Sequence, residues 1–106
     1  MALDANLPAP ACLSEARRAL WVAIVEEYAI DSAAAPMLEA YLYALDCVDE
    51  ARGKIRAEGA VMKDRFGVNK PNPWTARERD SALVAQRAFR LLGFDQKPSD
   101  QGTLFK

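Results

Sequence analysis

The segment Asn69-Lys70-Pro71-Asn72-Pro73 constrains the fold of this chain more than any other feature. A proline has no amide hydrogen to donate, and it pushes the residue before it towards extended geometry. The two prolines therefore exclude a helix through the segment, although helical periodicity is found on both sides of it. Asparagine caps helices and proline suits their first turn, so the segment predicts a helix from Trp74 to Leu92 that closes on Gly93.

Two further helices are predicted before this break. Ser14 is a typical N-cap for the first, which is expected to end near residues 31–32. The second is expected to run from residue 33 to Glu58 and to stop at Gly59, with an apolar stripe over roughly seven turns. The first helix is too short to cover that stripe, so part of it is expected to meet the third helix or a second copy of the chain. The positions assigned to the oligomer interface are Leu38, Tyr41, Leu42, Leu45 and Val48.

Between Gly59 and Asn69, short apolar stretches surround a polar turn, which predicts a short loop or a small β-hairpin. The predicted fold is mainly α, a three-helix subunit with a long central helix and this loop or hairpin before the last helix. Residues 1–13 are predicted to form a flexible arm that does not join the core by itself, and residues 95–106 a C-terminal tail. The expected core positions of the third helix are Trp74, Leu83, Val84, Ala88, Leu91 and Leu92.

The residues that most catalytic mechanisms need are missing. The chain contains no histidine, so the usual general base is absent. Glu26-Glu27 and Asp49-Glu50 are neighbours on predicted helices, where adjacent side chains diverge and do not converge on one substrate. Cys12 and Cys47 are too few donors for a metal site and are predicted to be free thiols. We therefore predict no enzyme activity, no catalytic residue, no metal and no cofactor.

The chain shows no membrane signal. No apolar run approaches the ~20 residues that span a bilayer, and the sequence from Met1 to Asp4 lacks the features of a signal peptide. A cytoplasmic location without a membrane partner is therefore expected.

Charge is divided unevenly along the chain. The net charge is −1, but residues 1–50 hold two basic and nine acidic side chains, a net charge of −7. Residues 51–97 hold eleven basic and five acidic side chains, a net charge of +6. Such a molecule is suited to binding a polyanion with one end, or to stacking head to tail with copies of itself.

Basic residues are concentrated around the predicted loop and the start of the third helix, where the helix dipole slightly disfavours cations. Contacts with phosphates are the commonest use of such a cluster. The interleaved Glu78 and Asp80 leave a salt-bridged, solvated surface as the alternative. The candidate DNA-binding residues are Lys63, Arg65, Lys70, Arg77 and Arg79.

The order of these elements resembles the small terminase subunit family of tailed bacteriophages over residues 13–98. The residues that carry the resemblance are Leu13-Ser14-Glu15 and Trp21 in the first helix, Tyr41, Leu45 and Ala51 in the second, Glu58-Gly59, then Asn72-Pro73, and Leu91-Leu92-Gly93-Phe94 at the end of the third helix.

The resemblance implies a subunit that forms a closed ring, recognises viral double-stranded DNA in the host cytoplasm and passes it to a large terminase subunit carrying the ATPase and nuclease. Leu104-Phe105 in the tail is the predicted contact with that large subunit. The alternative is a helical adaptor in a phage or cellular assembly that binds no DNA. A helix-turn-helix regulator is disfavoured, because no two predicted helices are joined by a turn of three or four residues.

Overall fold

The computed structural model describes residues 7–94, which form three helices and one hairpin. The elements are α1 (Glu15–Tyr28), α2 (Ala35–Glu58), β1 (Val61–Lys63), β2 (Asn69–Pro71) and α3 (Pro73–Leu91). The predicted mainly helical fold is confirmed, and of the two alternatives before the last helix, a short loop or a β-hairpin, the structure has the hairpin. The predicted docking pair Leu104-Phe105 lies outside the described residues. No helix within residues 7–94 has both the length and the apolar character of a membrane span.

Helix α1 is fastened to α2 at its first residues. The Ser14 hydroxyl accepts a hydrogen bond from the Arg17 amide, which makes Ser14 the N-cap as predicted. The Ser14 amide and hydroxyl also donate to the Asp46 carboxylate at 2.8 and 2.7 Å. The Arg17 guanidinium lies 3.4 Å from Asp46 and 2.7 Å from Asp49. The start of α1 is therefore held by the middle of α2.

Helix α1 ends at Tyr28, a few residues before the predicted end. The reason is Ala29, whose φ of 52° places it in the left-handed region. Its amide still donates to the Val25 carbonyl, but the chain direction turns there. Alanine rarely adopts this conformation, which is why the stop is difficult to predict from the residue type.

The core lies where the segment before α1 meets the first two helices. Its buried residues are Leu13, Trp21, Val25, Ile30, Leu38 and Leu42. The Trp21 indole N–H donates to the Leu7 carbonyl at 3.1 Å, and Leu7 and Ala9 pack against the cluster. Residues 7–13 therefore join the core, which differs from the prediction of an arm that stays apart from it. The buried indole needs an acceptor, and these residues supply one.

Helices α2 and α3 run antiparallel and form the most extensive contact between two elements. Arg52 on α2 meets Glu78 near the start of α3, with Nε and Oε2 2.7 Å apart. At the other end of the pair the Tyr41 and Phe89 rings are 5.8 Å apart. The side chains buried between the helices are mostly alanines, which lets the two backbones approach closely: Ala44, Val48, Ala51, Ala85 and Ala88.

The predicted inner face of α3 is wrong for three of its six positions. Ala88 is buried, and Trp74 and Leu92 are half-buried. Leu83, Val84 and Leu91, however, are exposed by 45%, 46% and 71%. Ala85, which is not among the predicted positions, faces α2 together with Ala88, because small side chains fit between closely spaced helices and leucines do not.

Three of the five α2 positions predicted for the oligomer interface are buried within the chain itself. Leu38 and Leu42 have no exposed surface and Val48 is 5% exposed, because residues 7–13, α1 and α3 together cover the stripe. Tyr41 and Leu45 are half-buried within the chain. The three buried side chains are therefore inaccessible to a second copy.

Asn72 joins the end of α2, the hairpin and the start of α3. Its Nδ2 donates to the Gly59 carbonyl at 2.8 Å and to Glu58 Oε1 at 3.2 Å. Its Oδ1 accepts from the Trp74 amide at 3.0 Å, which caps α3. The Asn72 amide donates to the Ala60 carbonyl, and its own carbonyl accepts from Thr75. Asn72 is the only polar side chain with no exposed surface among the described residues, and each of its polar groups has a partner.

Replacing Asn72 with alanine should destabilise the protein by about 2–4 kcal/mol, because a helix cap is removed and buried groups are left unpaired. Asn72→Ser keeps an acceptor for the Trp74 amide and should be less destabilising. Asn69→Ala, on exposed β2, is the matched control and should change the free energy of unfolding by less than about 0.5 kcal/mol. Urea unfolding measures all three, and equal stability of Asn72→Ala and Asn69→Ala would contradict this role.

Candidate nucleic-acid interface

The hairpin between α2 and α3 is built around Asp64. Its strands pair antiparallel, with Val61 opposite Pro71 and Lys63 opposite Asn69. Asp64 Oδ1 accepts hydrogen bonds from the Phe66 amide at 2.8 Å and the Val68 amide at 3.0 Å. Gly67 closes the turn with a φ of 78°, a left-handed conformation that glycine adopts without strain. The turn is therefore shaped locally and needs no packing against the helices.

The strands and the tip of the hairpin are exposed to solvent. Both strands are exposed at every position, and Phe66 at the tip is 75% exposed. Val61, Met62 and Val68 are exposed by 60%, 40% and 54%. These apolar side chains lie among the basic side chains of the hairpin. The hairpin thus presents a mixed apolar and cationic surface.

The structure brings three of the five predicted DNA-binding residues together on the hairpin. Lys63 lies in β1 and is exposed. The Arg65 guanidinium carbon lies 5.0 Å from the centre of the Phe66 ring, so the ring supports the cation without neutralising it. Lys70 Nζ lies 3.5 Å from Asp64 Oδ2, and the lysine side chain keeps 63% of its surface exposed.

The other two predicted residues lie on the first turns of α3. The Arg77 guanidinium carbon lies 5.1 Å from the centre of the half-buried Trp74 ring. Arg79 is exposed and lies 3.6 Å from Asp80, so part of its charge is balanced. Asn72 caps α3 directly beside the hairpin, and therefore holds both residues at the same end of the molecule as Lys63.

Lys54 belongs to the same end, although it is not among the residues predicted from the sequence. Its Nζ lies 5.9 Å from the centre of the Trp74 ring, so the ring meets one cation from α2 and one from α3. Its position follows from the antiparallel pairing, which brings the last turns of α2 beside the first turns of α3. No local sequence pattern indicates this neighbour, because the contact depends on how the two helices pair.

The antiparallel pairing of α2 and α3 also determines how charge is distributed between the two ends of the molecule. The hairpin end, residues 51–80, carries eight basic and four acidic side chains, a net charge of +4. Residues 7–50 and 81–94, at the opposite end, carry four basic and eight acidic side chains, a net charge of −4. The last turns of α3 bring Arg87 and Arg90 to the acidic end. The described part of the chain is therefore a neutral body with opposite charges at its two ends.

A cavity of about 580 Å³ lies between α2 and α3, beside α1. Tyr41, Leu45 and Phe89 form part of its wall, and Arg17 and Arg52 at its rim are already paired with carboxylates. Burial raises the pKa of the Tyr41 hydroxyl, and the Arg17 charge opposes this only in part, so the phenol stays protonated at neutral pH. Residues 7–94 hold no group of three or more metal-ligating side chains.

The Asp64 carboxylate should titrate below the usual aspartate pKa of 3.8, mainly because the Val68 amide donates to its charged form. The Phe66 amide and Lys70 act in the same direction, and partial burial opposes them. A lowered folded pKa stabilises the turn above pH 3.8, and this stabilisation disappears as the pH falls through the lowered value. Carbon-detected NMR titration, in buffer and in urea, measures the difference; equal values would contradict the turn geometry.

Comparison with protein-family models, with curated proteins and with solved structures finds no match for this chain. What the chain does must therefore be argued from its own residues.

Proposed function

We propose that this protein is a DNA-packaging subunit of the small terminase type, which binds double-stranded viral DNA through the hairpin end and carries no enzyme activity. The observation that carries the proposal is the net charge of +4 on residues 51–80, with Lys63, Arg65 and Arg77 exposed around a projecting two-stranded ribbon. DNA carries one negative charge per ~1.7 Å of its axis, so it is the polyanion that such a surface favours.

The shape of the hairpin supports this use. A two-stranded ribbon is one of the elements that enter the major groove of B-DNA. The basic side chains are long and exposed, and apart from Lys70 with Asp64 those of the hairpin form no ion pair among the described residues. Side chains of this kind bind the phosphates, so binding is expected to depend steeply on salt and only weakly on base sequence.

The residues behind the resemblance to small terminase subunits support the proposal in another way. Glu58-Gly59 and Asn72-Pro73 stand thirteen or more positions apart in the sequence, yet Asn72 donates to both Glu58 and Gly59. They therefore belong to one structural unit, and its role is to hold the hairpin at the end of the helix pair. A sequence that keeps Glu58-Gly59 and Asn72-Pro73 therefore keeps the hairpin exposed at the end of the helix pair.

The wider role follows from the same resemblance. We propose that the subunit assembles into a ring in the host cytoplasm, recognises viral DNA and hands it to a large terminase subunit that carries the ATPase and nuclease. Leu83, Val84 and Leu91 on α3, which are exposed by 45%, 46% and 71%, offer an apolar surface for this assembly. The tail pair Leu104-Phe105 remains the proposed contact with the large subunit.

A helical adaptor that binds no DNA is the second candidate. The observation that favours it is the exposed apolar surface of the hairpin, where Phe66 and Val61 are 75% and 60% exposed. Exposed apolar groups beside basic ones also suit a protein partner. The adaptor predicts no DNA binding even at low salt, together with a stable complex with another protein.

Neutralising two hairpin cations, in Lys63→Gln/Arg65→Gln, should weaken binding to duplex DNA and reduce its dependence on salt. Each phosphate that the protein no longer neutralises makes the slope of log K against log salt shallower by about 0.9, so a decrease of roughly 2 is expected. Fluorescence anisotropy with a short duplex between about 50 and 200 mM salt measures the slope.

The matched control is Arg18→Gln/Arg90→Gln, which removes the same charge from exposed residues of the acidic end. It should leave the slope nearly unchanged. Equal decreases in the two variants would mean that net charge alone drives binding. An unchanged slope in the hairpin variant would remove the hairpin from the interface, and no binding at any salt would favour the adaptor.

A further inference from the structure

The outer face of α3 carries an apolar stripe that nothing in the described chain covers. Leu83, Val84 and Leu91 lie within about 100° of one another around the helix and are exposed by 45%, 46% and 71%. Arg87 lies in the middle of this stripe and is also exposed. Apolar residues at such spacing are typical of a buried helix face, so the α3 outer face (Leu83, Val84, Arg87 and Leu91) is suited to a protein contact.

The outer face of α1 has the complementary chemistry. Ala19, Val22, Ala23 and Glu26 point away from the buried Trp21 and Val25, and all four are exposed. Val22 keeps 51% of its surface open to solvent. This α1 outer face (Ala19, Val22, Ala23 and Glu26) is a shallow surface of small apolar side chains with a carboxylate at one end.

We propose that the α3 outer face of one copy packs on the α1 outer face of the next copy, with Arg87 of the first beside Glu26 of the second. Leucines on one helix would fill the spaces that alanines leave on the other. Arg87 and Glu26 form no ion pair within residues 7–94, so both charges are open to a partner. Each stripe extends over roughly 10–12 Å at 1.5 Å per residue.

Charge favours this contact over a symmetric one in which the two Arg87 side chains meet. Two copies meeting through their α3 outer faces would bring one Arg87 towards the other, and like charges in a desolvated interface are costly. Two α1 outer faces would place small side chains against one another, with no leucine to fill the spaces between them. The mixed contact instead pairs Arg87 with Glu26. It is also unattainable within one chain, because both faces point away from the chain's own core.

A contact between two different faces repeats from copy to copy, and it produces either a closed ring or an open chain. It involves α1 and the second half of α3, so the hairpin end of every copy stays free for DNA. This inference rests on the proposed function only in assuming that copies of the chain assemble. The α1 and α3 outer faces take the place of the buried α2 positions Leu38, Leu42 and Val48 as the interface.

Charge exchange tests the contact. Native mass spectrometry and light scattering at about 150 mM salt, over a range of protein concentrations, should show an assembly of several copies for the wild-type chain. Arg87→Glu and Glu26→Arg, each alone, should raise the concentration needed for assembly roughly tenfold or more, since each places like charges together. The chain with both changes, Glu26→Arg/Arg87→Glu, should assemble again, because it restores opposite charges.

Arg56→Glu and Glu50→Arg are the matched controls, since both residues are exposed on α2 and lie outside the two faces. They should assemble as the wild type does. Circular dichroism verifies that every variant is folded, and the neutral Arg87→Gln replaces Arg87→Glu if helix content falls. In that case a smaller, measurable weakening of assembly is expected.

Each remaining outcome overturns the contact in a distinct way. A wild-type assembly that neither single change weakens leaves the proposed assembly standing and excludes this interface. Failure of the double change to restore assembly excludes the pairing of Arg87 with Glu26. A wild-type monomer at every concentration excludes assembly and interface together, while the salt dependence of DNA binding is still measured separately.

Discussion

The hydrogen bonds of Asn72 are the interaction on which the rest of this structure depends. A buried amide is costly unless every donor and acceptor is paired, and Asn72 pairs with the end of α2, with Ala60 just before β1, and with the first turn of α3. These partners come within reach only when the chain reverses direction within the hairpin. Asn72 therefore links the end of α2 to the start of α3 and holds the hairpin beside them.

The close approach of α2 and α3 has a consequence for the outer surface. Because alanines occupy the contact, the larger apolar residues of α3 are placed on its opposite side. The antiparallel arrangement also sorts charge, with cations around the hairpin and carboxylates around α1 and the first half of α2. A chain that is nearly neutral in total thus has one basic end, which we propose meets phosphates, and a separate pair of faces, which we propose meet other copies of the chain. The two uses do not compete for the same side chains.

Much of the fold could be predicted because local signals were strong and agreed. Ser14 and Asn72 cap helices, Gly59 follows one, and the prolines exclude a helix through residues 69–72. The inner face of α3 could not be predicted, since that helix has apolar residues on two sides and periodicity does not say which side a neighbour covers. Leu83 and Ala85 are equally plausible core residues until the spacing of the helices is known. Periodicity also gave no account of residues 7–13, whose packing depends on the acceptor that Trp21 requires.

Of the candidate site, the hairpin cations could be predicted from their crowding in sequence, and Lys54 could not, because it approaches Trp74 only through the helix pairing.

The proposed function depends on the hairpin end being the surface that meets DNA. Hydrogen–deuterium exchange, measured by mass spectrometry with and without a short DNA duplex at low salt, tests it most directly. If the hairpin end binds DNA, the duplex should slow exchange in peptides from residues 54–79 and leave those from residues 20–50 unchanged. Protection confined to residues 20–50, or no protection although DNA is bound, would contradict it.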